Sequence, residues 1–175
     1  MTTLTVTLRQ PNDADGPALF DLVARCAPLD HNSRYCNLLQ CSDFADTGIA
    51  AVDEQHRLVG FISGYCPPQR PDTLFVWQVA VDPACRGQGL ALRMLTALVK
   101  RCARERDIRF LETTITPSNH ASQALFQRLF TQLQAPVSSH VRFARHPHFA
   151  GENEDEVIYR AGPFSTDLTC TEELL

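Results

Sequence analysis

Residues 74–91 read LFVWQVAVDPACRGQGLA, and this stretch decides the fold. Residues 74–81 form an apolar run without strict alternation, which is typical of a strand buried on both faces. A turn follows that contains Pro83, Gly87 and Gly89. From residue 90 onward apolar residues recur at helical spacing, so the sequence predicts a central strand, a glycine-rich turn and a long helix.

The turn at residues 86–91 has the features of an anion-binding loop. The first amides of a helix lack partners within the helix and carry partial positive charge. Glycine at 87 and 89 lets the backbone approach an anion without interference from a Cβ atom. The loop matches neither of the two common nucleotide-binding patterns. A glycine-rich turn without any ligand therefore remains an alternative for so short a motif.

The segments on either side complete one sheet with helices. Upstream, the patterns predict a strand at residues 5–9, a helix that Pro28 ends, a short helix at 35–41, and a hairpin with strands at 49–52 and 58–65. Downstream they predict strands at 109–116, 137–141 and 157–161, and a helix opened by Ser118 and Asn119, with a loop rich in His, Pro and Gly before the last strand. We expect an α/β fold, with a single mixed, mostly antiparallel sheet flanked by helices. Residues 1–164 are predicted to form one domain, and 165–175 a polar, flexible tail.

Composition excludes several kinds of partner. The chain has 175 residues, of which 16 are basic and 20 acidic, for a net charge of −4. This balance argues against nucleic acid and anionic membranes as partners. No stretch approaches the ~20 apolar residues of a membrane helix, and the first nine residues alternate like a strand rather than a signal peptide. Seven cysteines without a Cys-x-x-Cys pair predict reduced thiols in a cytoplasm. His146 and His148 have no second pair at ligand spacing, so no metal is expected.

The glycine-rich turn and its surroundings resemble a known superfamily. Arg86-x-x-Gly89-x-Ala91, preceded by Val79-Ala80-Val81-Asp82-Pro83, resembles motif A of the GCN5-related N-acetyltransferases (GNAT). The resemblance implies a GNAT fold in which this loop holds the pyrophosphate of acetyl-CoA, and Asn119 matches the second CoA-binding segment. The cofactor contacts that it implies are Val79, Val81, Arg86, Gly87, Gln88, Gly89, Ala91, Asn119 and Ser122.

Three further segments narrow the resemblance. Residues 28–35, 73–81 and 112–122 are similar to signatures of the L-2,4-diaminobutyrate acetyltransferases of ectoine biosynthesis, and the similarity runs from about residue 5 to 162. This resemblance implies transfer of an acetyl group from acetyl-CoA to the γ-amine of L-2,4-diaminobutyrate. It also implies a homodimer.

Diaminobutyrate carries two ammonium groups and one carboxylate near pH 7, so its site should offer carboxylates and an aromatic face. An indole face can bind an ammonium group by a cation–π contact of about 0.5–2 kcal/mol. Taken alone, an acidic loop is more often solvated surface and a strand tryptophan more often core. With the resemblance, we expect substrate contacts from Asp30, Trp77, Thr113, Glu154 and Glu156.

The reaction also needs proton transfer and an oxyanion donor. An amine attacks a thioester only when deprotonated, so a carboxylate must take its proton directly or through water. Glu156 is the first candidate for this proton acceptor and Asp30 the second. Tyr35 is the candidate for orienting the substrate or a water. An irregularity in the strand near residues 79–81 would expose a backbone N–H to the oxyanion.

The chain departs from the family patterns at two positions. Many superfamily members have a tyrosine seven residues after the asparagine of the second segment, as an acid for the CoA thiolate, whereas this chain has Phe126. The diaminobutyrate enzymes tend toward His-Glu-x-Glu before the last strand, whereas this chain reads Asn153-Glu154-Asp155-Glu156. Loss of the imidazole argues against a histidine relay, and both glutamates are kept.

Two other functions fit the sequence. One is acetylation of another small diamine or a polyamine, which would need no substrate carboxylate. The other is a non-catalytic acetyl-CoA sensor, which would need only the phosphate-binding loop.

Overall fold

The computed structural model describes residues 5–165. Its strands are β1 (Val6–Arg9), β2 (Ile49–Asp53), β3 (Leu58–Tyr65), β4 (Thr73–Val81), β5 (Phe110–Ile115), β6 (Val137–Phe143) and β7 (Glu156–Ala161). Its helices are α1 (Gly16–Arg25), α2 (Arg34–Cys41), α3 (Leu90–Arg106), α4 (His120–Gln132) and α5 (Arg145–Phe149). The strands form an open, mixed sheet of order β1-β2-β3-β4-β5-β7-β6, which confirms the predicted fold class.

The predicted order of elements is confirmed, with one addition. Helix α5 lies in the segment that was expected to be a loop. His148 closes this short turn, because its backbone N–H donates to the Ala144 carbonyl at 3.2 Å and its Nδ1 lies 2.9 Å from the Ala144 N–H. The predicted tail at 165–175 lies outside the described residues except for Ser165, and the prediction of one domain over 1–164 stays a prediction.

Residues 5–65 and 76–102 form a first compact unit. Strand β1 pairs antiparallel with β2, with Val6 opposite Asp53, and β2 pairs antiparallel with β3, with Ile49 opposite Ile62. Helix α1 buries one face against these strands, because its apolar residues recur at helical spacing. The resulting core contains Leu19, Leu22, Val23, Cys26, Cys41, Ala50, Val52, Leu58, Phe61 and Ala80.

Helix α3 packs closely on strand β3 within this unit. Gly60 makes the approach possible, since a Cβ atom at that position would lie 2.7 Å from the Met94 sulfur. The buried residues of α3 follow the predicted apolar stripe and include Met94, Leu95, Leu98, Val99 and Cys102. This packing fixes the position of the first residue of α3, Leu90, which follows the glycine-rich turn.

Residues 66–75 and 103–165 form a second compact unit. Strand β7 pairs antiparallel with β5 on one side and with β6 on the other. Glu112 of β5 is buried and accepts hydrogen bonds from the guanidinium groups of Arg70 and Arg160. A buried carboxylate is stable only when it is paired in this way, so the cluster ties the loop before β4 to the β5–β7 pair.

Strand β6 is the last strand in the sheet order and has one strand neighbour. All of its residues are exposed except Arg142, which is half-buried. Val137 and Val141 lie opposite Ala161 and Val157 and therefore share one face, where they form a short apolar row. A bulge between Val141 and Phe143 places Phe143 opposite Glu156, on the other face. Strand β6 thus presents an apolar row on an open edge.

Candidate active site

Burial changes sharply along strand β4. Residues 73–76 are buried, whereas Trp77 is 46% exposed and Gln78, Val79 and Val81 are half-buried. Only Ala80 is buried in this second half of the strand. The backbone predicted to receive the acetyl group therefore lies in the accessible part of β4. The predicted irregularity at residues 79–81 stays a prediction.

The turn after β4 leaves a row of backbone amides unused. Within residues 5–165, the N–H groups of Gly87, Gln88 and Gly89 donate no hydrogen bond. Gly87 and Gly89 adopt φ values of 75° and 73°, which favour glycine. No atom lies within 4 Å of where a Cβ would stand at either position. Free amides beside open space at the start of a helix are the arrangement that binds an anion.

The start of this turn is fixed by side chains. The Asp82 carboxylate accepts from the Ala84 N–H at 3.0 Å and from the guanidinium of Arg25 at 3.1 Å. The Arg86 Nε donates to the Val81 carbonyl at 3.1 Å, which holds Arg86 against the end of β4. Residues 86–91 therefore start from an anchored position rather than from a loose loop.

Cys85 precedes the turn and packs inward. Its side chain is buried, and burial raises the pKa of its thiol, with the charges of Asp82 and Asp53 adding to the effect. A thiol in this state stays protonated at neutral pH and is a poor nucleophile. Cys85 therefore has the properties of a packing residue.

Asp30 lies in the connection between α1 and α2, and its side chain is exposed. Within the described residues its carboxylate accepts no hydrogen bond. The Asp30 backbone is tied to strand β4, because Gln78 Nε2 donates to the Asp30 carbonyl at 3.1 Å. This hydrogen bond places the Asp30 backbone beside Gln78, which follows Trp77 on β4.

Trp77 belongs to an aromatic row in the first unit that sequence reasoning missed. The Trp77 ring meets Tyr65 edge-on, with centroids 6.4 Å apart, and Tyr65 lies 6.3 Å from Phe44. The available signal was an aromatic residue at the end of a predicted strand, at Tyr65. The predicted Tyr35 is on α2 and is 70% exposed.

The second unit contains the other predicted substrate residues. Glu156 is the first residue of β7 and is half-buried opposite Phe143, and no hydrogen bond to its carboxylate exists within the described part of the chain. Thr113 is buried on β5, opposite Tyr159. Glu154 is engaged differently, since its carboxylate accepts from the backbone N–H of Ser118 at 3.3 Å and from the Ser118 hydroxyl.

Glu154 thereby holds the residue next to Asn119. Asn119 caps helix α4, because its Oδ1 accepts from the Ser122 N–H at 3.1 Å. The cap leaves the side-chain NH₂ of Asn119 as a donor, and Ser122 is half-buried. Asn153 is exposed. Phe126 is buried and packs against Phe130 with centroids 6.0 Å apart, so it serves the core.

Neither a membrane span nor a metal cluster is found in the described part of the chain. No helix between residues 5 and 165 is long and apolar enough to cross a membrane. Over the same residues, no three His, Cys, Asp or Glu side chains are grouped to hold a metal ion.

Comparison with known proteins identifies relatives over nearly the whole chain. The model of the Acetyltransferase (GNAT) family matches residues 16–130. The L-2,4-diaminobutyric acid acetyltransferase of Methylotuvimicrobium alcaliphilum is 52% identical over 161 residues, which cover 91% of each chain. The enzyme of the same name from Chromohalobacter salexigens is 46% identical over 160 residues, covering 91% of this chain and 82% of the relative.

A solved structure is also similar. It is the diaminobutyrate acetyltransferase EctA of Paenibacillus lautus, in complex with its substrate L-2,4-diaminobutyric acid and coenzyme A. The two structures superpose with a TM-score of 0.86 at 39% sequence identity, covering 94% of this chain and 98% of the other.

Proposed function

The chain belongs to the GNAT acetyltransferase family, and we propose that it transfers the acetyl group of acetyl-CoA to the γ-amine of L-2,4-diaminobutyrate. The product, N4-acetyl-diaminobutyrate, would serve ectoine synthesis. One observation carries this proposal above all: the similarity to an enzyme solved with diaminobutyrate and coenzyme A extends over 94% of the chain. The similarity therefore extends well beyond the phosphate-binding loop.

The donor half of the proposed site lies in residues 79–91, with Asn119 and Ser122 as further contacts. The unused amides of Gly87, Gln88 and Gly89 support pyrophosphate binding at the start of α3. Arg86 and Ala91 would flank the phosphates, and the backbone at Val79 and Val81 would take the acetyl end. Asn119 would contribute its side-chain NH₂.

Different residues would bind the different charged groups of diaminobutyrate. We assign Asp30 and Glu156 as ligands of the ammonium groups. Their carboxylates accept no hydrogen bond from any described residue, which supports this assignment. Trp77 would present its exposed indole to an ammonium group. Thr113 and Tyr35 would orient the substrate. Glu154 would contribute through Ser118 as well as by its own charge, since both of its oxygens contact that residue.

The reaction removes two protons from the substrate nitrogen, one before it attacks the thioester and one after the new C–N bond has formed. We propose that Glu156, or Asp30 in its place, takes the proton from the γ-ammonium. The amine nitrogen then bonds to the thioester carbon and loses its second proton, the C–S bond breaks, and the electron pair leaves on the CoA sulfur. The sulfur takes up one proton, and one proton is released overall. Phe126 is buried and has no proton to give, so another group, or a proton from the substrate ammonium itself, must protonate the thiolate.

We further propose that the enzyme works in the cytoplasm as a homodimer. Cysteines 26, 36, 41, 66, 85 and 102 are free thiols, which suits a reducing compartment where acetyl-CoA is made. The apolar row on β6 is exposed in the single chain, with Val137 at 43% and Val141 at 48%. A second copy would cover it.

A substrate series tests the proposed activity. Consumption of acetyl-CoA is measured with diaminobutyrate, diaminopropionate, ornithine and putrescine, and the product is assigned by NMR. One methylene more or fewer displaces the nucleophile by about 1 Å, which can cost ~100-fold in rate. We expect diaminobutyrate to be preferred and acetylated on the γ-nitrogen. Equal rates on putrescine would favour a polyamine enzyme, and binding of acetyl-CoA without turnover would favour a sensor.

A further inference from the structure

The side-chain amide of Gln78 is hydrogen-bonded at both of its ends to one short segment. Its Nε2 donates to the backbone carbonyl of Asp30 at 3.1 Å, and its Oε1 accepts from the Asn32 Nδ2 at 3.0 Å. A glutamine terminus is suited to this arrangement, because donor and acceptor stand side by side in one plane.

The segment that Gln78 contacts is otherwise held only at its ends. Leu29 packs against the core of the first unit, and Ser33 caps helix α2 by accepting from the Cys36 N–H at 3.1 Å. Between these two anchors, residues 30–32 have no regular secondary structure. Within residues 5–165, every hydrogen bond made by residues 30–32 involves Gln78.

Gln78 itself is on a rigid element. It follows Trp77 on strand β4 and precedes Val79, and its side chain is half-buried. Its two hydrogen bonds therefore fix the Asp30 backbone relative to the part of β4 that carries Trp77. Without them, Asp30 would have to be ordered when the substrate binds, and that ordering would weaken binding.

We propose that Gln78 is a positioning residue for the diamine substrate, acting through the Asp30 segment. This inference rests on the proposed role of Asp30 in binding a substrate ammonium group. Gln78 sets where the Asp30 carboxylate stands and does not touch the reacting atoms. Asn32 completes the arrangement by holding the Gln78 oxygen, so that the Gln78 NH₂ group faces the Asp30 carbonyl.

Two substitutions of Gln78 separate the parts of this role. Gln78→Met keeps the length of the side chain and removes both hydrogen bonds. Gln78→Glu keeps an acceptor for Asn32 but turns a carboxylate oxygen toward the Asp30 carbonyl. We expect each variant to raise the KM for diaminobutyrate about tenfold and to leave the KM for acetyl-CoA within about twofold. Asn32→Ala should act in the same direction with a smaller effect.

Gln10→Met is the matched control. Gln10 also donates a hydrogen bond from Nε2, to Asp46 at 2.9 Å, but on the exposed surface of the same unit. This variant should change neither KM. Thermal unfolding of all variants is measured in parallel, because a purely structural role for Gln78 would lower Tm and raise both KM values together, which would overturn the proposal.

A double-mutant cycle with Asp30→Asn decides whether Gln78 acts through Asp30. If it does, Gln78→Met should add little to the KM increase already caused by Asp30→Asn. Additive effects would show that Gln78 acts independently and would overturn the positioning role. If Asp30→Asn alone raises the KM and Gln78→Met does not, the proposed function stands and this inference fails. If Asp30→Asn has no effect, the assigned role of Asp30 fails and the inference fails with it.

Discussion

Asp30 and Glu156 share a property that separates them from several other acidic residues. Neither carboxylate is hydrogen-bonded within residues 5–165, whereas Asp82, Glu112, Glu154 and Asp155 all accept hydrogen bonds from the protein. A carboxylate that already binds a protein donor has less capacity left for a ligand. The carboxylates of Asp30 and Glu156 are therefore better candidates than those four for contact with the substrate ammonium groups.

Removal of either charge should affect the diamine and spare acetyl-CoA. Asp30→Asn and Glu156→Gln keep the shape of each side chain and remove its charge. An ammonium group left unpaired in a partly buried site costs about 2–5 kcal/mol, so kcat/KM for diaminobutyrate should fall by tens to thousands of fold. Steady-state kinetics with each substrate varied in turn measures this split.

Glu54→Gln provides the control for this pair of variants. Glu54 is exposed in the turn between β2 and β3, and the same chemical change there should leave both substrates unaffected. Wild-type kcat/KM in both Asp30→Asn and Glu156→Gln would mean that these acidic residues are solvated surface.

At this scale the sequence indicated candidate site residues by their charged or aromatic side chains, and it contained no sign of the side chains that contact them. Asp30, Trp77 and Glu156 could be named because a charged or aromatic residue stood within a recognisable segment. Gln78 stood in the same segment, but its partners are 46 and 48 residues earlier in the chain. A hydrogen bond to a loop carbonyl leaves no pattern in the sequence, so such a role is found only in the folded chain.

Among the elements, β4, the following turn and α3 form the part of the molecule that was most fully predicted. The apolar run, the two glycines and the helical stripe each specify a different local structure, and all three agree. Helix α5 was missed, because its five residues include Pro147 and lack an apolar face of helical period. Its stability comes from contacts of His148 with Ala144 rather than from an amphipathic pattern.

The proposed binding of pyrophosphate at the glycine-rich turn leads to a testable prediction. Gly89→Val places a branched side chain in the open space above the turn, where the pyrophosphate is proposed to bind. The KM for acetyl-CoA should rise at least tenfold, while the KM for diaminobutyrate changes little. Valine at a φ of 73° is also strained, so Tm should fall by several degrees.

Gly151→Val separates strain from the loss of the binding space. Gly151 has a φ of 84°, and its new Cβ would meet His146 at an ordinary contact distance of 3.7 Å. This variant should lower Tm to a similar extent and leave the KM for acetyl-CoA unchanged. An unchanged KM in Gly89→Val would place the pyrophosphate elsewhere.

At the scale of the whole molecule, the exposed apolar row on β6 bears on how the chain assembles. An edge strand with an exposed apolar row is prone to pair with other chains unless something covers it. The sequence predicted the strand but not the row, because the two apolar residues at 137 and 141 are too few to tell a buried face from an exposed one. Their exposure is a property of the folded chain.

If a second copy covers this row, a charge placed in it should separate the two copies. Val141→Lys puts an ammonium group at the more exposed of the two positions of the row. Light scattering coupled to size-exclusion chromatography should give the wild type twice the 19.5 kDa mass of one chain, and the variant a mass near one chain. Ser138→Lys adds the same charge on the other face of β6 and should leave the mass unchanged, because alternate residues of a strand point to opposite faces. Since association depends on protein concentration, the masses are compared at several concentrations. A wild-type mass of 19.5 kDa throughout, or a Val141→Lys variant with the wild-type mass, would show that β6 is not where two copies meet.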